Sequence, residues 1–82
     1  MKITKRDGRK VEFDSDKIVK AISKAFIEVY PDGLTDEMQA CAHRIANEVS
    51  AHDGLTVEEI QDTVVRKLMA SKWKDVAKAY VE

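Results

Sequence analysis

The stretch Lys5-Arg6-Asp7-Gly8-Arg9 decides how this chain begins to fold. An Asp-Gly pair between the apolar residues Ile3 and Val11 is a strong signal for a β-hairpin, because a two-residue turn needs positive φ angles, which Asp-Gly supplies. The stretch predicts strands over residues 2–5 and 9–13, joined by a tight basic turn. A lone hairpin is marginal in water, so it has to lie against an apolar surface.

Four amphipathic helices are predicted to follow the hairpin, because apolar residues recur at intervals of three and four. The first helix begins near Asp14 and the second at Thr35, and both residues are good N-caps. The third has the clearest start, since Thr56 followed three residues later by Glu59 is a capping box. The positions expected to face the core are Ile18, Ile22, Ala25, Phe26 and Val29 in the first helix, Met38, Cys41, Ala42, Ile45, Ala46 and Val49 in the second, Val57, Ile60, Val64 and Leu68 in the third, and Trp73, Val76, Ala77 and Tyr80 in the fourth.

The predicted fold belongs to the α+β class. It is a small four-helix bundle capped by the N-terminal β-hairpin, with Leu55-Thr56 as a short third strand. The 82 residues form a single domain over residues 1–82. A domain of this size buries only about 60% of the surface that its unfolded chain exposes, so a deep enzyme pocket is not expected. No Gly or Pro ends the last helix before Glu82, and we expect the chain to be part of a longer protein.

Composition and charge narrow the possible functions. The apolar fraction of 44% is normal for a globular protein, and a single cysteine excludes an internal disulfide. No apolar run is long enough to cross a bilayer and no signal peptide is visible, so we expect a cytoplasmic protein without a membrane partner. Residues 1–20 carry seven basic and four acidic side chains, whereas residues 21–82 carry seven and eleven. This asymmetry places anion attraction at the N-terminal end.

An anion site at this end has to be built from side chains. The Walker pattern and G-x-G-x-x-G are absent, and three glycines do not make a Gly-rich phosphate cradle. Lys5, Arg6 and Lys17 are the candidate cations, because they lie close to the start of the first helix, where anions are favoured. The alternative is that Lys5, Arg6 and Arg9 are only solvated charges on an exposed hairpin, and that Lys17 interacts with nearby carboxylates.

No catalytic or metal site is indicated. Cys41, His43 and His52 do not have the spacing of a ligand set, and Cys41 lies on the apolar stripe of its helix. No Ser or Cys has an adjacent base in a recognisable arrangement. Trp73 and Tyr80 lie at helical spacing and are expected in the core rather than in a stacking platform for bases.

Three segments together resemble the ATP-cone domain, and the resemblance covers nearly the whole chain. They are Lys5-Arg6-Asp7-Gly8-Arg9 with Val11, Phe13, Lys17 and Ile18, then Thr56-Val57-Glu58-Glu59-Ile60-Gln61 with Val64 and Leu68, and finally Val76-Ala77-Lys78-Ala79-Tyr80-Val81-Glu82. ATP-cones occur at the N-termini of ribonucleotide reductases and inside a zinc-ribbon repressor of reductase genes. The segment from Leu68 to Ala77 is most similar to the anaerobic, glycyl-radical class of ribonucleoside-triphosphate reductase. Met1 lies directly before the first strand with no Cys pairs ahead of it, which favours a reductase over the repressor.

The resemblance implies an allosteric regulatory domain rather than an enzyme. Its effectors would be ATP, which activates, and dATP, which inhibits, and either can be accompanied by Mg²⁺. Its partners would be the remainder of the reductase chain and other subunits in a nucleotide-dependent oligomer. The resemblance assigns Lys5, Arg6 and Lys17 to the phosphates, Asp7 and Gly8 to the turn that approaches the nucleotide, Val11, Asp14 and Ile18 to the border of the base, and Val57, Ile60 and Gln61 to the base and ribose side. Some cones carry a histidine at the position of Gln61.

Two other functions remain open on sequence alone. A nucleic-acid-binding module would use the basic hairpin and show a steep salt dependence, although sequence-blind DNA binding usually needs a broader basic face. A docking module would bind a partner through the end of the fourth helix and would not respond to nucleotides. Ile18 and Ile60 fit the core stripes as well as a site, so packing alone is an alternative explanation for both.

Overall fold

The computed structural model describes residues 1–82 as three short strands and four helices. The elements in chain order are β1 (Lys2–Thr4), β2 (Lys10–Glu12), α1 (Asp16–Val29), α2 (Asp36–Ser50), β3 (Leu55–Thr56), α3 (Val57–Ala70) and α4 (Lys74–Val81). The predicted α+β class and the predicted order of elements are therefore confirmed. None of the four helices has the length and apolar character that crossing a lipid bilayer requires.

The sheet is small, and β1 is its central strand. β1 pairs with β2 in antiparallel fashion, with Ile3 opposite Val11, and pairs with β3 in parallel fashion, with Ile3 opposite Leu55. The Thr4 hydroxyl donates a hydrogen bond of 2.6 Å to the carbonyl oxygen of Gly54, just before β3. These contacts bring the segment that leads into α3 beside the hairpin, and they confirm the predicted third strand.

The hairpin turn differs from the prediction. Instead of a two-residue Asp7-Gly8 turn, the loop has three residues, Arg6, Asp7 and Gly8, and both strands are shorter than expected. The Gly8 amide donates to the Lys5 carbonyl at 2.9 Å, and the Lys5 amide donates to the Arg9 carbonyl at 2.8 Å. Only Gly8 adopts a positive φ, 87°, which is the pattern of a type I turn followed by one left-handed residue.

Helix α1 begins two residues later than predicted, at Asp16 rather than near Asp14. Ser15 occupies the cap position with a helical backbone and makes no side-chain capping bond. The Asp14 carboxylate still accepts a hydrogen bond of 3.0 Å from the Asp16 amide, so it satisfies one of the free amides of the first turn. The prediction of Asp14 as the N-cap is therefore wrong, because Ser15 occupies that position, although the Asp14 side chain still bonds the first amide of the helix.

The core is built almost as the helical stripes predict. Seventeen residues are buried, all of them apolar, and they include all six positions expected from α2. Phe26 and Trp73 meet edge to face, with ring centroids 5.3 Å apart, and join α1 to the start of α4. Val29 and Tyr80 are only partly buried. The expectation for Val57 is wrong: as the first residue of α3 it lies at the surface and is 45% exposed.

Polar contacts at the surface fasten the helices to one another. The Tyr30 hydroxyl donates a hydrogen bond of 3.0 Å to Asp75, which joins the end of α1 to the first turn of α4. This bond raises the pKa of Tyr30, because the neutral phenol is the donor. Lys67 and Glu48 form an ion pair of 3.0 Å between α3 and α2. The four helices thus enclose one apolar core, and Ile3 of the central strand is part of it.

Candidate functional site

An open depression of about 420 Å³ lies between the hairpin and the start of α3. We call it the hairpin depression; its lining residues are Ile3, Thr4, Lys5, Arg6, Asp7, Val57 and Glu58. It brings together Lys5, Arg6, Asp7 and Val57, four of the residues that the sequence predicts for a nucleotide site. They meet because β3 runs parallel to β1 and leads directly into α3.

Two basic and two acidic side chains line the hairpin depression. Lys5 forms no ion pair, whereas Arg6 lies 3.8 Å from Glu58, measured from Nη2 to Oε1. Asp7 is held by Arg9, whose amide donates to one carboxylate oxygen at 3.0 Å and whose Nε donates to the other at 2.7 Å. The Arg9 amide, and then the Arg9 side chain, lower the pKa of Asp7 by stabilising its charged form. The negative charge of Asp7 is therefore already compensated by the positive charge of Arg9, which does not line the depression.

The start of α3 forms one wall of the hairpin depression, and a complete capping box fixes its position. The Glu59 amide donates to the Thr56 hydroxyl at 3.1 Å, and the Thr56 amide donates to the Glu59 carboxylate at 2.9 Å. The capping box turns the Glu59 carboxylate back onto the backbone. The remaining partial positive charge of a helix N-terminus favours an anion at this wall.

The residues predicted at the start of α1 lie outside the hairpin depression. Lys17 is exposed and places Nζ 5.9 Å from the centre of the Phe13 ring, a cation–π contact. It forms no ion pair with a carboxylate, in contrast to the alternative considered from the sequence. Asp14 accepts a hydrogen bond from the first amide of α1, and Val11 packs against the core from β2. Their predicted roles at a nucleotide remain predictions.

Two of the remaining predicted site residues, Ile18 and Ile60, are buried, and a third, Gly8, lies in the hairpin loop. Ile18 and Ile60 are only 3% and 5% exposed, so both are core residues, and a role at a base remains a prediction for each. Gly8 has open space where a Cβ would stand, and its positive φ of 87° shapes the loop that presents Lys5 and Arg6. A residue with a side chain is strained at such a φ, so Gly8 is needed for the shape of the loop.

Gln61 lies in a second depression, of about 260 Å³, between α1, α3 and α4. We call it the helix groove; its lining residues are Ala21, Lys24, Ala25, Glu28, Gln61, Ala79, Tyr80 and Glu82. Gln61 follows Val57 by about one helical turn, roughly 6 Å along the axis of α3. The hairpin depression and the helix groove therefore lie at successive turns of α3.

Glu58 and Tyr80 are among the lining residues that the sequence did not assign to a site. Glu58 is the second residue of α3 and pairs with Arg6, but its partner is remote in the sequence and no local pattern reveals it. Tyr80 was expected in the core, and it lies instead at the edge of the core, half-buried in the helix groove. Burial raises the pKa of Tyr80, which keeps the phenol neutral. The sequence did contain a signal for its partial exposure, because Tyr80 is the last residue of the apolar stripe of α4, at the edge of the core.

No group of three or more His, Cys, Asp and Glu side chains is arranged to hold a metal ion. Cys41 lies on α2 and lines neither depression, and burial raises the pKa of its thiol. What the hairpin depression offers is two flexible cations, a helix start and an apolar floor made by Ile3 and Val57.

The whole chain, residues 1–82, matches the family model of the ATP cone domain, and the chain belongs to this family. It is 38% identical to an anaerobic ribonucleoside-triphosphate reductase of Haemophilus influenzae over 86 aligned positions, which cover 98% of this chain and 12% of that protein. It is 37% identical to a vitamin B12-dependent ribonucleoside-diphosphate reductase of Thermoplasma acidophilum, over 96% of this chain and 11% of that protein. A ribonucleoside-diphosphate reductase subunit alpha of Chlamydia muridarum is 34% identical, over 96% of this chain and 9% of that protein.

These matches confirm the predicted membership of the ATP-cone family and the predicted similarity to anaerobic ribonucleoside-triphosphate reductases. The chain spans about a tenth of the length of the curated relatives that it matches. It corresponds to a nucleotide-binding regulatory module of ribonucleotide reductases.

Proposed function

We propose that this chain binds ATP or dATP and thereby controls the overall activity of an anaerobic ribonucleoside-triphosphate reductase, with ATP permitting turnover and dATP stopping it. The observation that carries the proposal is the hairpin depression, in which Lys5 and Arg6 face the start of α3 in a member of the ATP-cone family. A cationic loop opposite a helix start is a favourable place for a phosphate chain.

The phosphates would lie in the hairpin depression. Lys5 and Arg6 would form charge-assisted hydrogen bonds with the phosphate oxygens, and a guanidinium can bind two oxygens at once. Lys17, at the start of α1, would supply a third cation once it leaves the Phe13 ring. Mg²⁺ can accompany the triphosphate, and the anionic phosphate oxygens are suitable ligands for it.

The base and ribose would extend along α3 from Val57 towards Gln61. The Gln61 side chain is exposed and carries both hydrogen-bond donors and an acceptor, so it can bind a ribose hydroxyl. ATP and dATP differ by one hydroxyl, so their opposite effects require different affinities for two global states of the reductase. A coupling free energy of about 1–3 kcal/mol is enough to change activity severalfold to a hundredfold.

The module would act on the rest of the reductase to which it is attached and would not be an enzyme itself. Neither depression contains a nucleophile beside a base, and the relatives are chains about ten times longer. The proposed partners are the remainder of the reductase polypeptide and other subunits in a nucleotide-dependent oligomer. The 82-residue chain would then be a single domain of that longer protein, able to bind nucleotide but not to regulate turnover alone.

Isothermal titration calorimetry of the 82-residue chain with ATP and with dATP tests this proposal. We expect saturable heat with both nucleotides and a higher melting temperature in the presence of either, since a ligand that binds only the folded state stabilises it. No heat and no change in melting temperature at millimolar nucleotide would overturn the proposal. A short DNA duplex is the control ligand: a retarded band in a gel shift at physiological salt would favour the nucleic-acid-binding alternative.

A further inference from the structure

We propose that Glu58 competes with the nucleotide for Arg6 and thereby lowers the affinity of the hairpin depression for phosphate chains that reach Arg6. Arg6 is paired with Glu58 in the protein, and a phosphate would need the same guanidinium. Binding would then exchange one partner of Arg6 for another. This inference rests on the proposed nucleotide-binding function and assigns an affinity-limiting role to a residue that is not part of the predicted site.

The geometry allows the exchange without a change of fold. Arg6 belongs to the hairpin loop and Glu58 to the first turn of α3, so their contact of 3.8 Å bridges the two walls of the hairpin depression. The two side chains are 95% and 64% exposed, respectively. An ion pair this exposed is weak, because water screens it and both side chains lose freedom in forming it. A rotation of either side chain opens it while the backbone stays in place.

The charges of the hairpin depression single out Glu58. Asp7, the other acidic lining residue, is hydrogen-bonded to Arg9 through both carboxylate oxygens. Glu58 is therefore the one lining carboxylate whose counter-ion, Arg6, is also a candidate phosphate ligand. Removing its charge would leave Lys5 and Arg6 unopposed and would turn a nearly balanced site into a cationic one.

The physical consequence is a lowered apparent affinity. A ligand that needs Arg6 binds only the fraction of molecules in which Arg6 is free, and the apparent dissociation constant equals the intrinsic one divided by that fraction. A surface ion pair of typical strength corresponds to an effect of about two- to fivefold. The penalty applies to ligands whose phosphates reach Arg6, and a triphosphate replaces the lost contact with a stronger, charge-assisted one.

A double-mutant cycle tests this role. Dissociation constants for ATP are measured by calorimetry for the unaltered chain, Glu58→Gln, Arg6→Ala and the double variant. Glu58→Gln keeps the size and hydrogen-bonding capacity of the side chain while removing its charge, so we expect ATP to bind about two- to fivefold more tightly. In the Arg6→Ala background we expect Glu58→Gln to have no such effect, because the partner through which it acts is gone.

Asp32→Asn is the matched control, since it removes the same charge from an exposed loop between α1 and α2. It should leave the affinity unchanged, and melting temperatures should confirm that every variant is folded. The inference is overturned if Glu58→Gln binds ATP no more tightly than the unaltered chain. It is equally overturned if the gain persists after Arg6→Ala or appears with Asp32→Asn, because Glu58 would then act only through overall charge. Absence of ATP binding to the unaltered chain would instead defeat the proposed function, and this inference with it.

Discussion

The corner formed by the hairpin loop and the start of α3 differs from the helical core in charge, in exposure and in the interactions that hold it together. The corner is charged and exposed, and hydrogen bonds within the loop and the capping box hold its shape. The core is apolar throughout, contains no buried polar residue and is held by packing. The candidate ligand contacts lie in the first region and most of the stability in the second.

Because of this division, we expect nucleotide affinity and the stability of the fold to be separable by mutation in the same small domain. A variant in the core should lose stability, whereas a charge variant in the corner should lose affinity and leave the melting temperature nearly unchanged. Residues that shape the corner should affect both.

The largest effect is expected for Phe26→Ala. Phe26 is fully buried against Trp73, and removing a buried aromatic ring lowers the free energy of unfolding by about 3–5 kcal/mol. Ile27→Ala is the control, because Ile27 is the next residue of α1 and is half exposed. Urea denaturation should show the loss for Phe26→Ala and a much smaller one for Ile27→Ala. Equal losses would contradict the assignment of the core.

Lys5→Ala should have the next largest effect, and it should appear in affinity. Lys5 forms no direct ion pair, and Asp7, the carboxylate that its charge stabilises, keeps Arg9 as its counter-ion, so the melting temperature should stay nearly the same. Loss of a charge-assisted contact to phosphate should weaken ATP binding about 10- to 100-fold in calorimetry. Lys74→Ala is the control, since Lys74 begins α4 beside the far end of α1. Equal affinities for the two variants would remove Lys5 from the site.

Thr56→Ala and Thr35→Ala compare two helix caps. Each removes a hydroxyl that accepts a hydrogen bond from the third amide of its helix, so each should lower the free energy of unfolding by about 1 kcal/mol. Only Thr56 caps the helix that lines the hairpin depression, so only Thr56→Ala should also weaken ATP binding. Thermal melts and ATP titrations of both variants decide this. Weaker binding by Thr35→Ala to the same degree would show that the two regions are not separable.

The smallest effect is expected for the pH dependence of stability that Asp7 contributes. The folded protein lowers the pKa of Asp7 below its ordinary value of 3.8, because Arg9 stabilises the charged carboxylate. Stability from this group is therefore present above the ordinary pKa and is lost as the pH falls through the lower, folded pKa. The difference in melting temperature between the unaltered chain and Asp7→Asn should shrink between about pH 5 and pH 2. A difference that does not change with pH would contradict this account of the loop.

The sequence could predict the fold because the signals were local. The stripe of α2 and the capping box at Thr56 depend on residues three or four positions apart, and the structure confirms both. The local signal at the hairpin was ambiguous, because the same residues fit both a two-residue turn and a three-residue loop. Asp7-Gly8 is compatible with a two-residue turn, but the hydrogen bonds that Arg9 donates to Asp7 and the single positive φ at Gly8 favour the three-residue loop.

The candidate site could be predicted only in part, because long-range contacts complete it. The basic loop and the start of α3 were each visible in the sequence, and the parallel pairing of β1 with β3 is what brings them together. The ion pair between Arg6 and Glu58 depends on that pairing, and so does the exposure of Val57. Val57 fits a helical stripe by spacing, but it lies where α3 has not yet reached the core.

Amide chemical shifts of the isotopically labelled chain, followed by NMR during a titration with ATP, test the central claim most directly. We expect the largest shifts at Lys5–Gly8 and at Val57–Gln61, with smaller ones at Lys17, and we expect the same amides to respond to dATP. Largest shifts along α2, on the surface that lines neither depression, would contradict the claim that the hairpin and the start of α3 bind the nucleotide.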